Sequence, residues 1–474
     1  MIRTRFAPSP TGFLHVGGLR TALYSFLFAK KNHGQFVLRI EDTDQSRLVE
    51  QATNKLIAAL NWAGLTYDEG PQVGGDFGPY IQSERLAIYQ NHIQQLIIQE
   101  QAYYCFCSPE RLEQVRARKI AAKLPPAYDR TCRNLDRNNV NEKISAGEKF
   151  VIRMKVPLTG ESIFTDLVRG TVKIDYKNID DQVLLKSDGF PTYHLAVVVD
   201  DHLMQISHVI RGEEWLSSTP KHLLLYNYFG WQAPIFAHIP LLLNPDKSKL
   251  SKRQGDVAVE DYIKLGYTKE ALVNFIALLG WNPGDNREIF NLDELVQEFS
   301  LERVGKSGAI FNIEKLRWLN HKWLTSYAPA KLRELVLPFL SKTYPQAQDL
   351  KPEILDKLLK LIQKELITLA DSPNLVAFYF AAPNNQDQTV FENLKHFNQV
   401  ISTIKSNLPI TDLETFLPNL KQELKAAQIH LSELFPVLRY ALTGKLEGFG
   451  IQDLIEILGL QESNLRLENF IKQF

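Results

Sequence analysis

The first forty residues do the most to limit what this chain can become. Residues 2–7 alternate apolar and polar side chains, the two-residue period of a strand with one buried face. Pro8-Ser9-Pro10-Thr11-Gly12 cannot continue a ladder, so a loop follows. Leu19, Ala22, Leu23, Phe26 and Leu27 then recur at helical spacing over 19–31, and residues 36–40 read as the next strand, with another helix over 52–65. A strand, a helix and a strand joined this closely make a parallel βαβ unit.

The turn into that first helix carries His15-Val16-Gly17-Gly18. Unbonded N–H groups and the positive end of the helix dipole gather at such a mouth and favour an anion. Gly17 and Gly18 let a ligand lie against the backbone, and His15 can donate to phosphate oxygens. The pattern is neither a Walker loop nor G-x-G-x-x-G, and alone it equally describes a tight turn with a capping histidine. Far downstream, Lys249-Leu250-Ser251-Lys252-Arg253 follows a turn-rich loop. Alone it reads as a solvated basic loop. Its cations can also hold a triphosphate and neutralise a departing pyrophosphate. The two motifs together form a device for holding a nucleoside triphosphate.

The rest of the chain divides by style. Residues 90–186 have mixed character, with a helix around Ile93, Leu96 and Ile97, strands over 151–156 and 171–175, and all three cysteines. Residues 193–199 are expected to form a strand, followed by Asp200-Asp201, a strand over 207–210 and a helix over 219–228. Beyond Thr325 strand signals nearly vanish, and Leu355, Leu358, Leu359, Ile362 and Leu366 recur at helical spacing. Lys plus Arg is 54 and Asp plus Glu is 54. Zero net charge argues weakly against a nucleic-acid partner, although local patches decide binding. An odd cysteine count of 3 disfavours a disulfide framework and suggests a reducing compartment. No secretory signal or bilayer-length apolar run is legible, so the expectation is a cytoplasmic protein with no membrane partner. No heptad stripe stands out, which makes a monomer the default.

The motifs lie in one series with Phe6-Ala7-Pro8-Ser9-Pro10-Thr11-Gly12, Arg39-Ile40-Glu41-Asp42-Thr43-Asp44, Pro191-Thr192-Tyr193-His194-Leu195-Ala196, Ile210-Arg211-Gly212-Glu213-Glu214-Trp215, Lys315-Leu316-Arg317-Trp318-Leu319-Asn320 and Leu438-Arg439-Tyr440-Ala441-Leu442-Thr443-Gly444. Taken together, these segments resemble the bacterial-type glutamyl-tRNA synthetases of class I. His15–Gly18 looks like that class's "HIGH" signature and Lys249–Arg253 like its "KMSKS" loop. The resemblance covers essentially the whole chain. It implies an α/β Rossmann-like catalytic domain (1–89 and 187–244) with an inserted α+β acceptor-binding domain (90–186). A KMSKS-loop and stem-contact domain (245–324) and an all-α anticodon-binding region of two subdomains (325–474) would follow.

The implied reaction joins glutamate to tRNA(Glu) through a glutamyl-adenylate, with ATP and Mg²⁺. His15, Lys249 and Lys252 would be catalytic. His15, Gly17, Gly18, Lys249, Ser251 and Lys252 would bind ATP. Glutamate carries two carboxylates and an ammonium. Arg5 and Arg211 suit the carboxylates and Glu41 the ammonium. By the resemblance, Tyr193, Ser9 and Ala7 complete the pocket. Alternatively, Arg5 and Glu41 simply pair with each other. Val197 stands where some relatives carry an asparagine, and it receives no role. Cys105, Cys107 and Cys132 resemble a zinc knuckle of some relatives. Asn134 is a poor fourth ligand, so no metal is assigned and zinc is not favoured.

Arg111, Arg116, Arg118, Lys119 and Arg130, with Arg303, Lys306, Arg317 and Lys322, are candidate tRNA cations. Residues 361–369, aligned with the segment where the family's strict anticodon choice is associated with an arginine, have none. The implied enzyme is non-discriminating and also glutamylates tRNA(Gln). Two relatives of the same chemistry fit less well. A truncated enzyme acting on tRNA(Asp) lacks the helical half, and glutaminyl-tRNA synthetase has a β-barrel anticodon region. A non-catalytic tRNA-binding paralogue is expected to have lost His15, Lys249, Lys252 or an amino acid contact.

Overall fold

The computed structural model describes residues 1–250, 258–384 and 389–474. They fall into two compact units. One is Met1–Ile263 with Lys269–Leu316, the other Lys264–Thr268 with Arg317–Phe474.

In the first unit the strand Arg3–Phe6 is buried throughout and pairs in parallel with Gln35–Leu38, Arg3 opposite Gln35. The helix between them, Val16–Lys31, buries Leu19, Ala22, Leu23, Phe26 and Leu27, the face that the spacing marks out. Lys30 and Lys31 sit in its last turn, where cations complement the dipole. The Ser207 N–H donates to the Arg3 carbonyl at 3.0 Å, bringing the strand His208–Gly212 beside Arg3–Phe6. His208–Gly212 pairs in parallel with Ile235–Ile239. Their sheet continues through Glu161–Asp166 to Gly170–Asp175, so residues of the 90–186 segment extend it. A second sheet holds Ala102–Cys105, Val151–Met154 and Val183–Leu185, all antiparallel.

One expected strand is a helix. Residues 193–199 belong to the helix Tyr193–Leu203, in which every residue from Leu195 to Asp201 is buried. A continuous apolar run has no period to read, so a helix buried on all sides and a buried strand look alike in sequence. Three consecutive valines carry strand propensity, and packing on all sides of the helix overrides it. The change of element matters, because Asp201, near the end of this helix, reaches Arg5 and Arg39 of the site described below.

In the second unit the regular elements described over 325–474 are all helical. Pro352–Ile362 shows why: Leu355, Leu358, Leu359 and Ile362 line one face and are all buried. Burial of such a side chain contributes about 1.5–3 kcal/mol against exposure. The helices pack into one apolar cluster running from Leu324 to Ile471. No β-barrel is present among the described residues of this region, which sets it apart from the glutaminyl-type arrangement. No helix among them is long and apolar enough to cross a membrane.

Candidate active site

His15 caps the helix Val16–Lys31. Its Nδ1 accepts the Gly17 N–H at 2.9 Å, which places the ring proton on Nε2. No acidic residue occupies the helix's first turn. A Cβ on Gly17 would come within 3.2 Å of that Nδ1, and one on Gly18 within 3.1 Å of Leu14 Cδ1, so both glycines keep the mouth open. The Leu14 carbonyl accepts the Val259 N–H at 2.9 Å, and His15 bridges to Ala258. On the other side, Lys249 bridges to Leu243, and Leu250 N–H donates to Leu242 at 3.0 Å. His15, Gly17, Gly18 and Lys249 thus line one cavity of about 390 Å³. Ser251 and Lys252 lie outside the described residues.

A larger cavity of about 700 Å³ shares Gly17, Gly18, Thr21, Gly212 and Glu214 with the first. It is lined by Arg5, Ala7, Ser9, Glu41, Tyr193 and Arg211, all six residues of the implied amino acid pocket. Arg5 and Glu41 are bridged by two residues that the sequence reading did not single out. Arg5 Nε donates to Asp201 at 3.2 Å. The fully buried Arg39 contacts Asp201 at 2.8 Å and Glu41 at 3.0 Å. Two guanidinium groups therefore meet two carboxylates, and the alternative of a direct Arg5–Glu41 pair is not what the geometry gives. The neighbouring Asp200 also reaches Arg39, at 3.7 Å, and is held more closely by Arg85 at 2.7 Å, with Tyr89 and Gln82 each at 2.8 Å. An acidic pair closing an apolar run was the available signal for these carboxylates.

Burial pushes the Glu41 carboxyl up, against the pull of Arg39 and Arg5. At Asp201 burial also pushes upward, but the charges and hydrogen bonds of Arg5 and Arg39 outweigh it and hold this carboxyl below its usual range. Desolvation pushes the Tyr193 hydroxyl up as well. The Tyr193 ring lies 4.3 Å from that of Trp215, which also lines the cavity. Val197 is buried in the apolar core and is not among the lining residues.

The three cysteines converge, their Sγ atoms within 4.8 Å of one another. They supply three of the four ligands that structural zinc requires. The remaining side is occupied by hydrogen-bond partners. The Tyr128 hydroxyl lies 3.3 Å from Cys105 Sγ and 3.4 Å from Cys107 Sγ, and Arg111 donates to Cys107 Sγ at 3.4 Å. The Cys105 thiol is held well below the usual range, first by its bond with Cys132, then by Tyr128 and Arg153. The Tyr128 oxygen thus joins the three thiols in a cluster of four donor atoms; with a phenol and Asn134 both poor partners for zinc beside thiolate or imidazole, low occupancy is the expectation. Metal analysis of the purified chain is expected to find substoichiometric zinc, and a chelator is expected to leave its melting temperature unchanged. One zinc per chain, with stability lost on chelation, would reverse this reading.

Among the candidate tRNA cations, Arg111 pairs with Asp129 at 2.6 Å and Arg130 with Asp181 at 3.1 Å. Arg116, Arg118, Arg303, Lys306, Arg317 and Lys322 are exposed. In the second unit a groove of about 680 Å³ is lined by Lys357, Lys360 and Lys364, with Asp453 and Glu456 also lining it. No arginine lines it.

Comparison with known proteins accounts for this arrangement. Residues 1–318 match the family described as tRNA synthetases class I (E and Q), catalytic domain, and residues 331–471 match an anticodon binding domain. The chain belongs to this class I tRNA synthetase family. Along its length it is similar to proteins named glutamate–tRNA ligase. That of Chloroherpeton thalassium is 47% identical, covering 99% of this chain and 97% of the relative. That of Clostridioides difficile is 46% identical, covering 97% and 96%. A crystal structure of a glutamate tRNA ligase from Elizabethkingia meningosepticum, in complex with its amino acid, superposes with a TM-score of 0.90 at 37% identity, covering 99% of both chains.

Proposed function

We propose that this protein joins L-glutamate to tRNA(Glu) in two steps and acts as a cytoplasmic monomer. The observation that carries the reading is the pairing of the two cavities. One sets Arg5 and Arg211 with Glu41 among its lining residues, the complement of a dianionic amino acid with one ammonium. It opens into a helix mouth bearing His15, with Lys249 on the facing segment.

In the first step an α-carboxylate oxygen of glutamate attacks the α-phosphorus of ATP in line, and pyrophosphate leaves. The nucleophile is already ionised, so no general base is required, and positioning with charge stabilisation carries the step. His15 donates through Nε2 to phosphate oxygens, the N–H groups of the helix mouth cradle them, and Lys249 and Lys252 meet the charge growing on the leaving group. Mg²⁺ accompanying ATP would add further neutralisation of the phosphates. In the second step a hydroxyl of the terminal adenosine of tRNA takes the glutamyl group. Arg5 and Arg211 hold the substrate's carboxylates and Glu41 its ammonium, while Tyr193, Ser9 and the Ala7 backbone complete the pocket.

The groove of the second unit, whose basic lining residues are all lysines, favours relaxed anticodon choice, because an ammonium is a point charge without arginine's planar fork of donors. Charging purified tRNA(Glu) and tRNA(Gln) with labelled glutamate, with glutamine in parallel, tests the whole reading. Glutamate on both tRNAs is expected. Glutamate on tRNA(Glu) alone would retire relaxed specificity, and no charging of either would favour the tRNA-binding paralogue. Since the contacts to tRNA are expected to be mainly to phosphates, affinity is expected to fall about 10³–10⁵-fold between 50 and 200 mM salt if 6–10 phosphates are engaged. Titrations at both salt concentrations check this, and equal affinities would contradict it.

A further inference from the structure

Four cations line the larger cavity, and one of them differs from the rest. Arg5 is paired with Asp201, Arg47 with Asp44 at 2.5 Å and Lys186 with Asp188 at 2.9 Å. Arg211 has no carboxylate within ion-pair distance among the described residues. Its Nε donates to His238 Nε2 at 3.0 Å. One terminal nitrogen donates to Tyr193 Oη at 3.1 Å and to His222 Nδ1 at 3.2 Å. The other donates to Thr219 Oγ1 at 2.9 Å and, weakly, to the Trp215 carbonyl at 3.4 Å. These acceptors are uncharged as long as the two imidazoles are neutral.

The surroundings fix that neutrality. His238 Nδ1 faces the Asp166 carboxylate at 2.6 Å, so its proton sits there and Nε2 is left to accept from Arg211. Asp166 also accepts the backbone N–H groups of Val168, Arg169 and His238. Its charge is therefore spread over several donors and held one imidazole away from Arg211. His222 Nε2 lies 3.0 Å from His194 Nδ1. With Nδ1 accepting from Arg211, His222 carries its proton on Nε2 and donates it to His194. Burial, joined by the charges of Arg211 and neighbouring cations, pushes His222 well below the ordinary histidine range and His194 to about 3. The Asp166–His238 contact is accordingly a hydrogen bond from a neutral ring, since His238 too is lowered, chiefly by burial.

We propose that His222 and His238 are positioning residues that set amino acid specificity: as neutral acceptors they fix the Arg211 fork without cancelling its charge, so that the pocket selects a carboxylate over an isosteric amide. The inference rests on the reading of Arg211 as a partner of the substrate's carboxylate. An anionic group gains the full attraction of an uncompensated guanidinium in a desolvated cavity. A neutral amide gains only a hydrogen bond and leaves the charge unmet. On binding, the substrate oxygens replace the long bond to Trp215 and the one to Tyr193, while His238, His222 and Thr219 keep the plane of the guanidinium fixed.

The test compares His222→Asp with His222→Asn in the full chain. Both side chains place an oxygen near the position of Nδ1, and they differ in charge. His222→Asp is expected to lower kcat/KM for glutamate about 100-fold, mainly through KM, with KM for ATP and tRNA changed less than about 3-fold. Inhibition by glutamine should hardly change. His222→Asn is expected to recover glutamate kcat/KM to within about 5-fold of the unsubstituted enzyme. Equal behaviour of the two variants, or loss shared by all three substrates, would overturn the proposal. Thr219→Asp brings a carboxylate to the other side of the same guanidinium, in the first turn of the helix Thr219–Phe229 where an acid is tolerated, and gives the same readout if His222→Asp does not fold. Arg211→Gln separates the two levels. If it leaves KM for glutamate unchanged, the reading of Arg211 falls and the proposal with it. If it impairs glutamate use while His222→Asp matches His222→Asn, the neutral-shell proposal falls alone.

Discussion

Replacing Arg211 with glutamine is expected to cut kcat/KM for glutamate by about 10²–10³-fold while leaving ATP and tRNA affinities nearly as they were. Losing one partner of a buried, hydrogen-bonded charge pair costs about 2–5 kcal/mol, most of it the penalty on the charge left behind. Here that charge is on the substrate, which would enter a cavity with its carboxylate unmet. A glutamine side chain still donates one hydrogen bond, which sets the loss toward the smaller end of that range. Arg211 is buried and held by four side chains, so the glutamine also leaves acceptors on His238 and Thr219 without their donor. Steady-state charging with each substrate varied in turn gives the answer. A uniform loss across all three substrates would mean that Arg211 supports the fold rather than the amino acid.

Asp201→Ala is expected to destabilise the first unit by about 3–5 kcal/mol, because two buried guanidinium groups lose the carboxylate they share. Arg39 would keep Glu41 and the more distant Asp200, while Arg5 would keep no ion-pair partner among the described residues. The measurement is the urea midpoint at constant slope, and an unchanged midpoint would show that the network is not a structural keystone. The dependence on acid follows from the signs. The folded-state pKa of Asp201 is depressed, so its contribution is present above the unfolded value near 3.9 and is lost as pH falls through the folded value. Glu41 is raised, so its contribution runs the other way: present below its unfolded value and lost as pH rises through the folded one. The native protein is therefore expected to lose stability below about pH 4, and Asp201→Ala to flatten that fall.

Much of the candidate site is legible in the sequence. A histidine and two glycines at a helix mouth announce themselves, since the chemistry of a helix N-terminus is local. Arg5, Glu41, Tyr193 and Arg211 could be singled out only through the resemblance, because no short-range spacing links them. Asp201 and Arg39 were missed for a related reason. Asp201 followed a run read as strand, and a strand gives no hint that the acid reaches Arg5, nearly two hundred positions away. His222 and His238 were silent as well, since a lone histidine in an apolar segment has no period that marks it as an acceptor.

The βαβ opening, the helical second half and the glycine-rich turn at the first helix could be read from the chain alone. Each of these rests on interactions within a few residues: periodic burial, a capped helix end, a proline-rich break. Which side chains meet was settled by the folding of distant segments against one another. The 193–199 run became a helix because apolar neighbours surround it, and burial rather than propensity set its form. Arg5 and Arg211 stand on two strands brought side by side through Ser207, yet their surroundings differ, a carboxylate for one and neutral imidazoles for the other. That difference is electrostatic and long-range in sequence. It depends on distances of about 3 Å between residues far apart in the chain, where hydrogen bonds form or fail.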